Sequence, residues 1–339
     1  MRRRRYWLIG LLVLNVGLLL VGRGPERDSR CRAGLCVGLV FDVGGLGDKS
    51  FNDSAYLGLM RVERELGAQV RFIEPGDGSD RESALRELAS QGYQLVFGVG
   101  FIFSDDLRKL AREFPGTRFA GIDFSGTPGE STPPNLAGLR FREQEGSFLV
   151  GALAGLVTHT RVVGFVGGMQ IPLIQRFEAG YAAGVRYVCP ACQVLSAYAG
   201  TDPRAFSDPV TGKELALTQY GRGADVIFHA AGKTGGGVFT AARSVGRWAI
   251  GVDSDQFHEA PCCVLTSMVK RVDLAVLEAS RAHAEGRFAG GVYEAGLAEG
   301  QVGYVLDDNN RDRLTPEVLA RLRELERQIV AGEIEVPGA

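Results

Sequence analysis

Histidine is scarce, with four in 339 residues, so a metal site built from several imidazoles is disfavoured. Proline is low at 13, and the 47 glycines follow no G-X-Y period, which excludes a collagen-like chain. Neither sign of charge dominates. Lys and Arg number 38 against 40 Asp and Glu, a formal charge of −2, which argues against nucleic-acid binding through a broad basic surface. What is present is ordinary for a globular chain: 45% hydrophobic and 23% charged residues, at a length of about two domains. Abundant glycine suits a fold with many strand-to-helix turns, where positive φ or close backbone approach is needed.

The amino terminus carries Arg2, Arg3, Arg4 and Arg5 ahead of an apolar run from Tyr6 to Val21. This is the charge-then-apolar pattern of an export signal. No A-x-A junction follows, and Cys31 is preceded by Asp28, Ser29 and Arg30 rather than by the small residues of a lipoprotein signal. An uncleaved anchor and a cleaved signal both remain open. Either one places the globular part on the periplasmic side of the cell membrane, because the Arg cluster stays inside. Cys189-Pro190-Ala191-Cys192 lacks a second pair at zinc-ribbon spacing and follows a helical stretch, so it reads as a structural disulfide closing a tight turn. Cys31 and Cys36 are spaced to close another small loop.

Past the leader, apolar runs alternate with helix-period segments. Strands are expected at Val37–Phe41, Val70–Ile73, Leu95–Val99 and Arg118–Ile122, with helices at Asn52–Leu66, Arg81–Gln91 and Ser104–Glu113 between them. The pattern restarts with strands at Val162–Val166, Val194–Tyr198, Val226–Phe228 and Ala249–Val252. Helices at Glu143–His159, Ile174–Tyr187, Lys213–Gly221 and Gly236–Val245 accompany them. A strand at Val264–Val269, a helix at Asp273–Glu285, a strand at Gly300–Val305 and a helix at Thr315–Ala331 complete the two sheets. The expected fold is α/β: two Rossmann-like lobes with parallel sheets, joined by several crossovers around a central cleft. The division is 1–24 as signal or anchor, 25–35 as linker, 36–142 plus about 271–297 as lobe 1, and 143–270 plus about 298–339 as lobe 2.

The segment from Phe41 to Asn52 follows the first strand and opens the first helix. It is Gly-rich, yet G-x-G-x-x-G is absent, and Asp48 stands where a Walker loop needs Gly before Lys49-Ser50. Two carboxylates there would repel a phosphate. Asp42 suits hydroxyl donors, Phe51 offers a stacking ring and Asn52 an amide that can read a donor–acceptor edge. The plainer alternative makes Ser50 an N-cap, Phe51 core and Asn52 a turn residue. Asp123 and Asp253 end two further strands on the same side of the expected sheets. Gly232, in the loop after Phe228, brings backbone close to a ligand; Phe228 is either core or a second stacking face, and Lys270 ends another strand.

These segments together resemble the basic membrane protein family of bacterial ABC-transporter substrate-binding proteins. The resemblance is carried by Asp42-Val43-Gly44-Gly45 with Asp48-Lys49-Ser50-Phe51-Asn52, Gly121-Ile122-Asp123, Arg176-Phe177-Glu178-Ala179-Gly180, Gly223-Ala224-Asp225-Val226-Ile227-Phe228 and Gly251-Val252-Asp253-Ser254-Asp255-Gln256. It implies a type I periplasmic binding protein that takes purine-type nucleosides and hands them to a permease by hinge closure, breaking no bond. It also implies ligand contacts at Asp42, Phe51, Asn52, Asp123, Phe228, Gly232, Asp253 and Lys270, with the base between Phe51 and Phe228 and acids on the ribose hydroxyls. No cofactor and no nucleic-acid partner are implied; the expected partners are a nucleoside, an ABC permease and the membrane through the amino-terminal segment. Two readings compete: a nucleoside-cleaving hydrolase using the strand-end acids, and a sensing subunit without transport. Against the hydrolase, no His, nucleophile or metal-ligand cluster accompanies those acids.

Overall fold

The computed structural model describes residues 31, 34–76, 80–127 and 129–338. The basic and apolar amino-terminal segment lies outside the described residues. Among those described, no helix is long and apolar enough to cross a membrane.

Two six-stranded sheets are built the same way. In the first, β1 (Cys36–Val40), β2 (Gln69–Ile73), β3 (Leu95–Val99), β4 (Arg118–Ile122), β5 (Leu136–Phe141) and a late strand, Gly291–Ala295, lie in the order late strand, β5, β4, β3, β1, β2, all parallel. In the second, β6 (Val162–Met169), β7 (Gln193–Gly200), β8 (Val226–Ala230), β9 (Trp248–Asp253) and β10 (Val264–Lys270) repeat that order, with a final strand, Val302–Tyr304, antiparallel to β10. The late strand is β11 and the final one β12. The antiparallel edge departs from the expectation of wholly parallel sheets. The run from Gly296 to Gln301 is too short for a crossover helix, so the chain can enter the second sheet only by reversing direction.

Helices α1 (Phe51–Leu66), α2 (Arg81–Ser90), α3 (Ser104–Glu113), α4 (Glu143–Val157), α5 (Pro172–Val188), α6 (Pro209–Gly221), α7 (Gly235–Val245), α8 (Val272–Ala284) and α9 (Pro316–Val330) cover the sheets. β1 and β3 are buried along their whole length, as expected when helices cover both faces. The local signals at α9 act as written in the sequence: Thr315 accepts from the Val318 N–H, Pro316 occupies the first turn, and Gly332 follows the end at φ 73°. α6 starts earlier than its apolar period suggests, because Asp208 caps it and Pro209 is tolerated at its first position. Two strands escaped the pattern. β5, Leu-Ala-Gly-Leu-Arg-Phe, is interrupted by Gly138 and Arg140, and β11 is a short edge strand with exposed Tyr293.

The chain passes between sheets near Arg142, Arg271 and Gly296–Gln301, so three strands of polypeptide join the lobes. Disulfides link Cys31 to Cys36, Cys189 to Cys192 and Cys262 to Cys263. The Cys189–Cys192 bond closes the turn between α5 and β7, and the sulfur of Cys31 is committed to Cys36.

Candidate functional site

In both sheets the strand order reverses beside the first strand, between β1 and β3 and between β6 and β8. Open α/β sheets bind ligands in the crevice at the carboxyl ends of strands at that reversal. The two crevices face each other and form one cavity. Its walls include Asp42, Asp48, Phe51, Asn52, Gly100 and Asp123 from lobe 1, and Phe177, Phe206, Gly232, Asp253 and Lys270 from lobe 2.

The loop from Asp42 to Asn52 is shaped by one carboxylate. Asp48 Oδ1 accepts from the backbone N–H of Ser50 (2.9 Å) and Asp53 (3.1 Å), and Oδ2 from the Asn52 N–H (2.8 Å) and Asn52 Nδ2 (3.0 Å). It therefore caps α1 in place of Ser50, whose hydroxyl makes no cap bond. Asn52 Oδ1 accepts the Asp42 N–H at 3.1 Å, so this amide orients Asp42 and Asp48 as well as lining the cavity. Asp42 Oδ1 takes the Val43 N–H at 2.6 Å. Its Oδ2 lies against Gly100, where a Cβ would sit 2.4 Å away, and Gly100 also has φ 111°; both facts require glycine at the end of β3.

Asp123 and Asp253 end β4 and β9, and both take left-handed backbone, φ 55° and 64°. Asp tolerates this conformation better than most residues, and its recurrence at matching places aims both side chains into the cavity. Asp253 Oδ2 accepts from Ser50 Oγ of lobe 1 at 2.5 Å. Asp42 Oδ2 and Asp253 Oδ1 accept no hydrogen bond from another of the described residues, so each lobe offers the cavity one open carboxylate oxygen.

Lys270 is fully enclosed. Its Nζ meets Asp123 Oδ1 at 2.9 Å and Oδ2 at 2.7 Å across the lobes, with Glu143 Oε1 at 3.6 Å. The rings of Phe51, Phe141 and Phe177 surround it at 4.8, 5.2 and 5.4 Å, which adds cation–π attraction. Burial alone would lower its pKa; the carboxylates of Asp123, Glu143 and Asp253 outweigh burial and raise it, so it stays cationic.

Seven of the eight residues singled out in the sequence line the cavity. Phe228 does not, which corrects its placement as a stacking face. β8 runs two residues beyond it to Ala230, so Phe228 sits inside the strand and packs on Tyr181 (5.3 Å), Phe165 (5.8 Å) and Phe177 (6.5 Å). The lobe 2 rings at the cavity are Phe177, from α5, and Phe206, from the turn after β7. Phe177 falls in the Arg176–Gly180 segment, to which the family resemblance assigns no ligand contact, and no sequence signal marks Phe206. Among the described residues there is no cluster of His, Cys, Asp and Glu able to hold a metal.

Burial raises the pKa of Asp42 to about 7 and of Asp253 to about 6, against 3.8 for a free side chain; the Val43 N–H partly offsets this for Asp42, and Lys270 does for Asp253. A raised acid pKa means that the folded state holds the proton more tightly than the unfolded state. These two groups therefore contribute stability below about pH 3.8 that is lost as pH rises through 6 to 7. Asp42→Asn should accordingly melt higher than the wild type at pH 8 without ligand, with the advantage shrinking by pH 5. Equal melting temperatures at both pH values would contradict this.

Two doubly wound lobes facing each other across a cavity form an arrangement suited to holding a small solute between them. The chain belongs to the family of PnrA-like ABC transporter substrate-binding proteins, whose model matches residues 36–339. This is a family of binding proteins rather than enzymes. The chain is 33% identical over 365 residues to the CD4+ T-cell-stimulating antigen of Listeria monocytogenes, covering 99% of each. It is 31% identical over 362 residues to the ABC transporter nucleoside-binding protein BmpA of Lactococcus lactis, again covering 99% of each. A solved structure, an ABC transporter solute-binding protein from Aeropyrum pernix, superposes with a TM-score of 0.80 at 32% identity, over 90% of this chain and 94% of that one.

Proposed function

We propose that this protein captures purine-type nucleosides outside the cytoplasmic membrane and delivers them to an ABC permease, its lobes closing about the ligand. The observation that carries this reading is the pairing of open carboxylate oxygens, Asp42 Oδ2 and Asp253 Oδ1, with aromatic rings contributed by both lobes. Ribose hydroxyls are donors, and charge-assisted hydrogen bonds to carboxylates are about twice as strong as neutral ones. A flat base suits Phe51, Phe177 and Phe206, where ring stacking contributes about 0.5–1.5 kcal/mol beyond buried area. The nucleoside-binding relative supports the same ligand class. The test is retention: the protein is incubated with a mixture of nucleosides, free sugars and amino acids, desalted, and its bound molecules are identified by mass spectrometry. Recovery of a purine nucleoside is expected; recovery of a sugar or an amino acid alone would overturn the reading.

The compartment rests on the Arg2–Arg5 cluster and the apolar run behind it, together with relatives named as lipoproteins. Protease added to intact spheroplasts should digest the globular part. Survival there with cleavage only after lysis would contradict export.

A further inference from the structure

The lobes also touch outside the cavity walls, and the contact converges on one amide. Gln256, just past β9, is 3% exposed. Its Oε1 accepts the Val252 N–H at 2.8 Å and faces His229 Nε2 at 3.1 Å, while its backbone N–H donates to Ser267 Oγ at 3.0 Å. A Cβ at residue 251 would lie 2.7 Å from that Oε1, so Gly251 leaves room for the amide. With both partners fixing the oxygen, the amide nitrogen has one direction left. It donates across the lobes to the Lys49 carbonyl at 2.9 Å. Lys49 holds a left-handed φ of 55°, uncommon for a residue with a side chain, and its neighbour's carbonyl at Ser50 accepts from Ser254 Oγ at 3.2 Å.

We infer that Gln256, oriented by His229, Val252 and Ser267, is a positioning residue that latches the closed lobes and sets how long a ligand is held, without touching the ligand. The identity of that ligand and the closing of the lobes rest on the reading proposed above; the contact between the lobes does not. In ordinary binding-site logic a residue near the cleft tunes which ligand binds. A latch instead slows release of every ligand by the same factor, because it acts on the closed state rather than on the base or sugar.

The discriminating variant is Gln256→Glu. It keeps an acceptor for Val252 and His229 but removes the donor to Lys49, setting two oxygens against each other. Guanosine release, followed by stopped-flow fluorescence at pH 8, should quicken about tenfold or more with association changed less than about threefold. Affinities for guanosine, inosine and adenosine should fall by a common factor. Ser254→Ala, which removes only the neighbouring bond, should give a smaller change in the same direction and serves if Gln256→Glu fails to fold. Unchanged release in both variants, or losses that differ between nucleosides, would overturn the latch. If guanosine does not bind the wild type, the nucleoside reading fails, and small-angle scattering decides the latch instead. A larger radius of gyration in Gln256→Glu than in the wild type supports it, and equal radii refute it.

Discussion

Lys270→Met should lower the free energy of unfolding by about 3–5 kcal/mol at pH 7, the cost of leaving a buried ionic partner unpaired. The lysine is 2% exposed, and its Nζ lies within 3.6 Å of oxygens on Asp123 and Glu143. Methionine fills much of the volume among Phe51, Phe141 and Phe177 but leaves those carboxylates without their ammonium, although Arg176 Nε still holds Glu143 Oε2 at 2.8 Å. The loss should shrink as pH falls, because protonation removes the unpaired negative charge. Urea titration at pH 7 and pH 5 measures it. A loss below about 1 kcal/mol at pH 7 would mean that the cluster is neutral or hydrated in solution. Lys270 thus joins the lobes as well as lining the cavity, since it ends β10 of the second sheet while its partner Asp123 follows β4 of the first.

Asp253→Ala should weaken guanosine binding about ten- to a hundredfold while leaving the melting temperature near that of the wild type. Removing one charged hydrogen-bond partner costs about 1.5–3 kcal/mol. The cost to the fold should be about 1 kcal/mol, a few degrees at this size, because the carboxylate is held by one hydroxyl, that of Ser50, and its raised pKa marks an uncomfortable charge, while alanine is less at ease than Asp at the left-handed φ of 64°. Calorimetry on the variant decides: unchanged guanosine affinity would reduce the acid to a loop residue. Phe51→Ala should weaken binding by lost stacking area, more for purine than for pyrimidine nucleosides.

Much of the fold was legible because the strands of a sheet covered on both faces are apolar runs. The strands Leu95–Val99 and Arg118–Ile122 match the bounds of their apolar runs to the residue. The acids at strand ends were legible for a related reason: an Asp closing such a run has few places to go but the crevice. The left-handed backbone that aims Asp123 and Asp253 was not legible, since it depends on what each loop packs against. Phe228 was misplaced because His229 and Ala230 carry the strand further than its strongly apolar residues do. Phe177 reaches the cavity from a helix and Phe206 from a turn, and neither placement leaves a local trace. Asp48 was read as a reason to reject phosphate; its four hydrogen bonds, which set the loop, follow from the way the chain turns into α1. β5 and β11 escaped because glycine and charge interrupt the first and the second is a short edge.

The central claim is that the cavity recognises base and sugar together. Calorimetric titration of the wild type with guanosine and, separately, with free ribose tests it most directly. Guanosine should bind tightly and ribose at least a hundredfold more weakly, because ribose satisfies the carboxylates but leaves Phe51, Phe177 and Phe206 without a base; ribose binding as tightly as guanosine would make this a sugar-binding protein.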